Sequence, residues 1–139
     1  MKKNLNKQPS EKLIITTAFT AEKAKGYIFI SILMFHVLPC ILALCGDAGH
    51  QILTNLMMFY LNPVIVFGIM FVYGLRVGFN AKMPLIADLL ASVSIIMYYR
   101  LSADLGTYTA SLLLGLCVFG VMAYAGAVIG AFVKHFNII

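Results

Sequence analysis

From Tyr27 to Cys45 the chain reads YIFISILMFHVLPCILALC, nineteen residues without a charge, and three further apolar runs follow within the 139 residues. A hydrocarbon core of roughly 30 Å takes about 20 helical residues to cross, and lipid offers no partner to an unpaired backbone amide. Runs of this kind therefore fold as membrane helices. The expected fold class is an all-α integral membrane protein, a four-transmembrane-helix bundle. Composition agrees, since 62% of residues are apolar and 11% charged, far from the roughly half-apolar, quarter-charged make-up of soluble domains.

A basic start ahead of an apolar run has to be weighed as a secretory signal. The run is longer than an h-region of about 7–15 residues and has no small-x-small cleavage site, so a retained anchor is expected. A lipoprotein cleavage box needs a small residue before its cysteine, and Leu44 stands before Cys45.

The first span is read as residues 26–45. The polar run GDAGHQ, residues 46–51, marks a water-facing turn. Next comes Asn62-Pro63, in the middle of an apolar stretch from Ile52 to Leu75. Asparagine is a favoured N-cap and proline a favoured first helical residue, an order that points to a fresh helix start and a second span at 63–79. Residues 52–61 then form a candidate interfacial segment. The rival is one helix from Ile52 to about Leu75, kinked at Pro63; both cross the bilayer once. A turn at NAKMP leads to a third span at 84–99, and RLSADLGT leads to the last at 108–133. Residues 26–139 make a single membrane domain.

Cytoplasmic loops are enriched in Lys and Arg. Of the ten such residues, Lys2, Lys3, Lys7, Lys12, Lys23 and Lys25 precede Gly26, Arg76 and Lys82 flank the second connection, Lys134 is near the end, and Arg100 alone is on the other side. This bias places both termini in the cytoplasm and the protein in the plasma (inner) membrane. The net charge of +5 is thus mainly the basic N-terminal segment 1–25, a partner for anionic lipid and not a nucleic-acid face. Residues 10–25 carry Ile14, Ile15, Ala18 and Phe19 among lysines. They read either as an amphipathic surface helix or as an early start of the first span with snorkelling lysines. Tyr27, Tyr60, Tyr98, Tyr99 and Tyr108 fall near the expected interfaces.

Polar groups within spans carry the functional information, because burying them in lipid costs several kcal/mol unless they are paired or shielded. Asp88 lies near the start of the third span, with Ser92 one turn on along the same face. His36 lies near the middle of the first span. Together they are a candidate ion or proton path. The structural alternative has Asp88 reaching Lys82 or Arg76, and neutral His36 bonded to a neighbouring helix. Gly126 and Gly130 in the fourth span, with a row of Ala123, Ala127 and Ala131 beside them, form a small-xxx-small face; Gly74 and Gly78 repeat the spacing in the second. Packing inside one bundle is the expected use of these faces, ahead of a dimer interface.

Cys40, Cys45 and Cys117 lie in apolar segments with no metal-ligand spacing and are expected to be buried small side chains. No Gly-rich phosphate loop, Gly-x-Ser-x-Gly or His-Glu-x-x-His motif is present, so neither an enzyme, a metal site nor a cofactor is expected. In size and span number the chain is similar to small multidrug exporters, but their first helix carries a central glutamate where this one holds only His36. The leading functional expectation is a non-enzymatic accessory or assembly component, acting as a homo-oligomer or with another membrane protein. The alternative is a small ion- or proton-coupled transporter or channel using Asp88.

Overall fold

The computed structural model describes residues 20–98 and 105–136, and every secondary-structure element in them is helical. The chain starts with α1 (Ala21–Ile32), which passes through a π segment, Leu33–Val37, into α2 (Leu38–Leu44). After Cys45, α3 (Gly46–Ile52) passes through a second π segment, Leu53–Leu61, into α4 (Asn62–Arg76). Then come α5 (Lys82–Tyr98) and α6 (Leu105–His135). Most of residues 10–25, with the amphipathic reading given to them, the third-to-fourth connection with Tyr99 and Arg100, and the extreme C-terminus lie outside the described residues.

Helix α1 begins at Ala21, not Gly26. Ala21, Glu22, Lys23, Ala24 and Lys25 are good helix formers, and Thr20 before them is extended, at φ −123° and ψ 121°. Lys23 and Lys25 therefore ride on the first turns of the helix, the early-start alternative for this part of the tail.

Both π segments stop two residues short of a proline, Pro39 and Pro63. Leu38 N–H bonds to Leu33 O, and Asn62 N–H bonds to Met57 O, each five residues back. Proline has no N–H for the carbonyl four residues before it, and its ring crowds that oxygen. Widening the preceding turn shifts those carbonyls onto the next amide, so the helix continues past the proline. Asn62 accordingly sits in ordinary α-helical geometry, at φ −60° and ψ −45°. The fresh start expected there does not form, and residues 53–61 belong to one continuous helix with α4, not to a separate surface segment.

The water-facing turn expected over 46–51 is also shorter than the polar run. The reversal is confined to Cys45 and Gly46, where Gly46 takes a left-handed φ of 72°. Helix α3 then starts at once, with Asp47 in its first turn where the helix dipole favours an acid. Gly49 makes the corner possible, because a Cβ there would collide with the main-chain oxygen of Leu42.

Three segments among the described residues are long and apolar enough to cross a bilayer: Ala21–Leu44, Phe59–Arg76 and Thr109–His135. They are compatible with a membrane protein. Helix α5 has 17 residues, about 26 Å at 1.5 Å per residue.

The tightest seam joins α4 to α6. A Cβ on Gly126 would lie 2.5 Å from Phe67 O, one on Gly130 would strike Phe71 O, and one on Gly74 would strike Ala127 O. Partners advance together along the two helices, which therefore run parallel. Helix α5 runs antiparallel to α6, with Asp88 beside Gly120 and Ala81 beside Tyr124. Apolar side chains fill the interior, among them Phe35, Leu53, Met70, Tyr73, Met83, Ile95 and Phe119. Large apolar residues such as Phe29, Leu44, Val64, Met97 and Val121 point outward, which is compatible with a membrane protein.

Candidate functional site

Helix α5 is entered through a tight turn. Gly78 ends α4 with φ 108°, its amide bonding to Gly74 O at 2.9 Å. Of the pair singled out by spacing, Gly74 is therefore a packing residue and Gly78 a helix stop. Asn80 Oδ1 accepts a hydrogen bond from Lys82 N at 2.9 Å, capping the start of α5. Pro84 falls in the first turn, where a missing N–H leaves no carbonyl unserved.

Two residues of α6 pin this turn. Tyr124 Oη donates to Ala81 O at 3.1 Å, and Lys134 Nζ donates to Arg76 O at 2.8 Å and to Val77 O at 3.1 Å. The last carbonyls of α4 carry the negative end of its dipole, and the ammonium group meets them there. No sequence pattern pointed to these contacts of Tyr124 and Lys134. In the sequence Lys134 counted only as a basic residue on the cytoplasmic side.

Asp88 lies one and a half turns above this junction and is half-buried. Ser92, buried and one turn on, donates from Oγ to Asp88 Oδ1 at 3.5 Å, the long limit for such a bond. Across the seam, a Cβ on Gly120 would lie 3.3 Å from Asp88 Oδ2, so the glycine leaves the space that the carboxyl group occupies. Asp88 and Ser92 are thus brought together as their spacing predicts, and Gly120 completes the setting. The alternative pairing with Lys82 or Arg76 is not formed among the described residues.

His36 is elsewhere. It lies in the first π segment with its ring against Tyr98, centroids 6.0 Å apart at 70°. Tyr98 is ten residues beyond Asp88 on α5, about 15 Å along the axis. The candidate path therefore divides into two separate places. Tyr27 packs edge-on against the buried Tyr73, at 5.2 Å and 89°, joining α1 to α4.

The cysteines depart from expectation. Cys45 and Cys117 are exposed and Cys40 half-buried, all as free thiols, so none of the three is a buried core side chain. Cys45 Sγ bonds to Ile41 O at 3.4 Å. No group of three His, Cys, Asp or Glu side chains suited to a metal ion occurs among the described residues.

The class these features define is a helical protein with three segments able to cross a membrane and an acidic residue set between α5 and α6. No protein-family model matches the chain, and neither a curated protein nor a solved structure is significantly similar to it.

Proposed function

We propose that this protein is a four-span membrane protein of the plasma (inner) membrane, with both termini cytoplasmic, acting as a non-enzymatic accessory or assembly component beside another membrane protein. The observation carrying this reading is the closed interior. Glycine and alanine of α6 meet the main chain of α4 directly, and the interior serines bond to their own helices, Ser31 Oγ to Tyr27 O and Ser94 Oγ to Ala91 O. The groups left for recognition lie on outward faces.

Four crossings require α5 to span as well. Its 17 residues reach across if Lys82 snorkels to the interface. Alternating helix directions bring the cytoplasmic ends of α4 and α6 to the same side as the start of α1. The excess of Lys and Arg there supports the orientation. Association through Gly126 and Gly130 finds no support, because α4 already occupies that face.

Site-specific photo-crosslinking in native membranes tests the proposal. A photoreactive residue at the outward Val121 should give a discrete protein adduct, while one at Phe29 serves as the comparison on α1. Lipid adducts alone at both positions would remove the accessory reading.

The second reading is a small ion- or proton-coupled transporter, favoured by the pairing of Asp88 with Ser92 at Gly120. Reconstituted protein should then show a flux of protons or cations that Asp88→Asn abolishes. Equal flux in the two proteins would exclude Asp88 from the path.

A further inference from the structure

Helices α1 and α4 touch at Tyr27 and Tyr73 and leave a gap beside that contact. An open apolar cleft of about 230 Å³ lies there, lined by Tyr27 and Ile30 of α1 and by Gly68, Ile69 and Val72 of α4. Gly68 makes the room, because a Cβ built on it would meet nothing within 4 Å. Ile30 and Val72 are 44% and 41% exposed, so the cleft opens outward. The two helix faces that line it each carry a cation at the same end. Lys23 lies one turn before Tyr27 in the stripe Lys23, Tyr27, Ile30, and Arg76 one turn after Val72 in the stripe Gly68, Val72, Arg76. Because Tyr27 packs on Tyr73, both cations stand about a turn beyond that contact and on the same side of it. Both residues are exposed, and neither side chain has an ion pair or hydrogen bond among the described residues.

Resting on the membrane reading but not on the accessory role, we infer that this cleft holds part of an acyl chain of an anionic phospholipid, whose phosphate lies between Lys23 and Arg76. Charge complementarity decides the occupant. An apolar furrow that ends in two cations suits an amphiphile with a negative head, and the furrow and the cations belong to the same helix stripes. Arginine holds phosphate oxygens through its planar fork, and lysine reaches a headgroup by extending its apolar stem along the helix. A soluble anion would meet the cations and leave the apolar walls bare. A zwitterionic lipid carries its own cation beside its phosphate, which like charges on Lys23 and Arg76 repel. The lining from Tyr27 to Ile30 and from Gly68 to Val72 covers about 5–6 Å of each helix, so the cleft takes a short length of chain below the head.

The chain has no tryptophan, so one introduced indole reports the lipid beside it. Full-length Val72→Trp protein is placed in vesicles of phosphatidylcholine and phosphatidylglycerol, with one of the two lipids brominated in its acyl chains to quench a neighbouring indole. Ile129→Trp is the comparison. Ile129 is 46% exposed on α6 and level with Val72, because Gly130 meets Phe71 across the seam. Quenching in Val72→Trp should show phosphatidylglycerol preferred at least about fivefold, within what two basic groups near an anionic head allow, and Ile129→Trp should show little preference. Adding Lys23→Gln and Arg76→Gln together should bring the Val72→Trp ratio down to that of Ile129→Trp. Gly68→Leu should do the same by filling the cleft.

Equal ratios in Val72→Trp and Ile129→Trp, or a preference that survives the paired glutamine substitution or Gly68→Leu, would overturn the inference. So would a preference that inorganic phosphate abolishes at constant ionic strength, which assigns the two cations to a soluble anion. These outcomes strike this inference alone. Protein that fails to float with the vesicles in a density gradient would remove the membrane reading beneath it. Orientation does not enter the result, because both leaflets have the same composition.

Discussion

Lys134 Nζ lies 2.8 Å from the main-chain oxygen of Arg76, a contact across 58 residues of sequence. With the second bond to Val77 O at 3.1 Å, it ties the last turn of α6 to the last turn of α4. Charge-assisted hydrogen bonds contribute about 1.5–3 kcal/mol each when shielded, less where water reaches them. Lys134→Met should destabilise the protein by about 1–3 kcal/mol on that basis, with Lys134→Arg retaining part of the difference. Denaturation in detergent micelles measures this, and a Met variant as stable as the parent would deny the clamp any energetic role.

The α4–α6 seam leaves no room for a methyl group. Gly74→Ala, Gly126→Ala and Gly130→Ala should each cost about 1–3 kcal/mol or more, the usual penalty of overpacking, because the obstacle is backbone and cannot rotate away. Gly68→Ala is the control, since a Cβ there meets nothing within 4 Å. Similar midpoints for Gly68→Ala and Gly126→Ala would show that the two helices do not pack as described.

Backbone conformation sets a different penalty at Gly46 and Gly78, whose φ values are 72° and 108°. Gly46→Ala should cost about 1–2 kcal/mol, and Gly46→Asn less, because asparagine tolerates the left-handed region. Gly78→Ala, further from that region, should cost more, within the range of about 1–3 kcal/mol for a strained residue. The ordering of the three midpoints is the check.

Proline as the cause of the π segments is open to a direct test. Pro39→Ala restores an N–H to pair with Phe35 O, so the wide turn should revert to α-helix and rotate the residues before it. Cysteines placed at His36 and Tyr98, in a background lacking the native three, report the contact through a short thiol crosslinker. The yield should fall severalfold with Pro39→Ala. An unchanged yield would detach the π geometry from the proline.

Orientation in the membrane rests on the basic residues. Reporter fusions after Lys134 should behave as cytoplasmic, and a reporter inserted beside Arg100 as external. The opposite pattern would reverse the proposed topology.

How far the sequence could be read differs from place to place. The apolar segments were legible because a run of residues without charge commits its own backbone to local hydrogen bonds. The pairing of Asp88 with Ser92 was legible for the same reason, being one helical turn. Asn62-Pro63 misled because its residues suit a helix start equally well when the preceding turn widens instead. The polar run after Cys45 misled because one left-handed glycine reverses the chain in two residues, leaving the rest free to be helix.

What the sequence determined by itself is a set of apolar helical rods with a basic end, since hydrogen bonding within a helix and the cost of exposing apolar surface are properties of each segment alone. Which rods touch was decided only in the tertiary structure. Small residues at four-residue spacing mark a face that allows close approach but do not name the neighbour. The placing of Gly120 under Asp88, of His36 against Tyr98 and of Lys134 on Arg76 depends on how two helices cross, and that is set by packing between surfaces far apart in the chain.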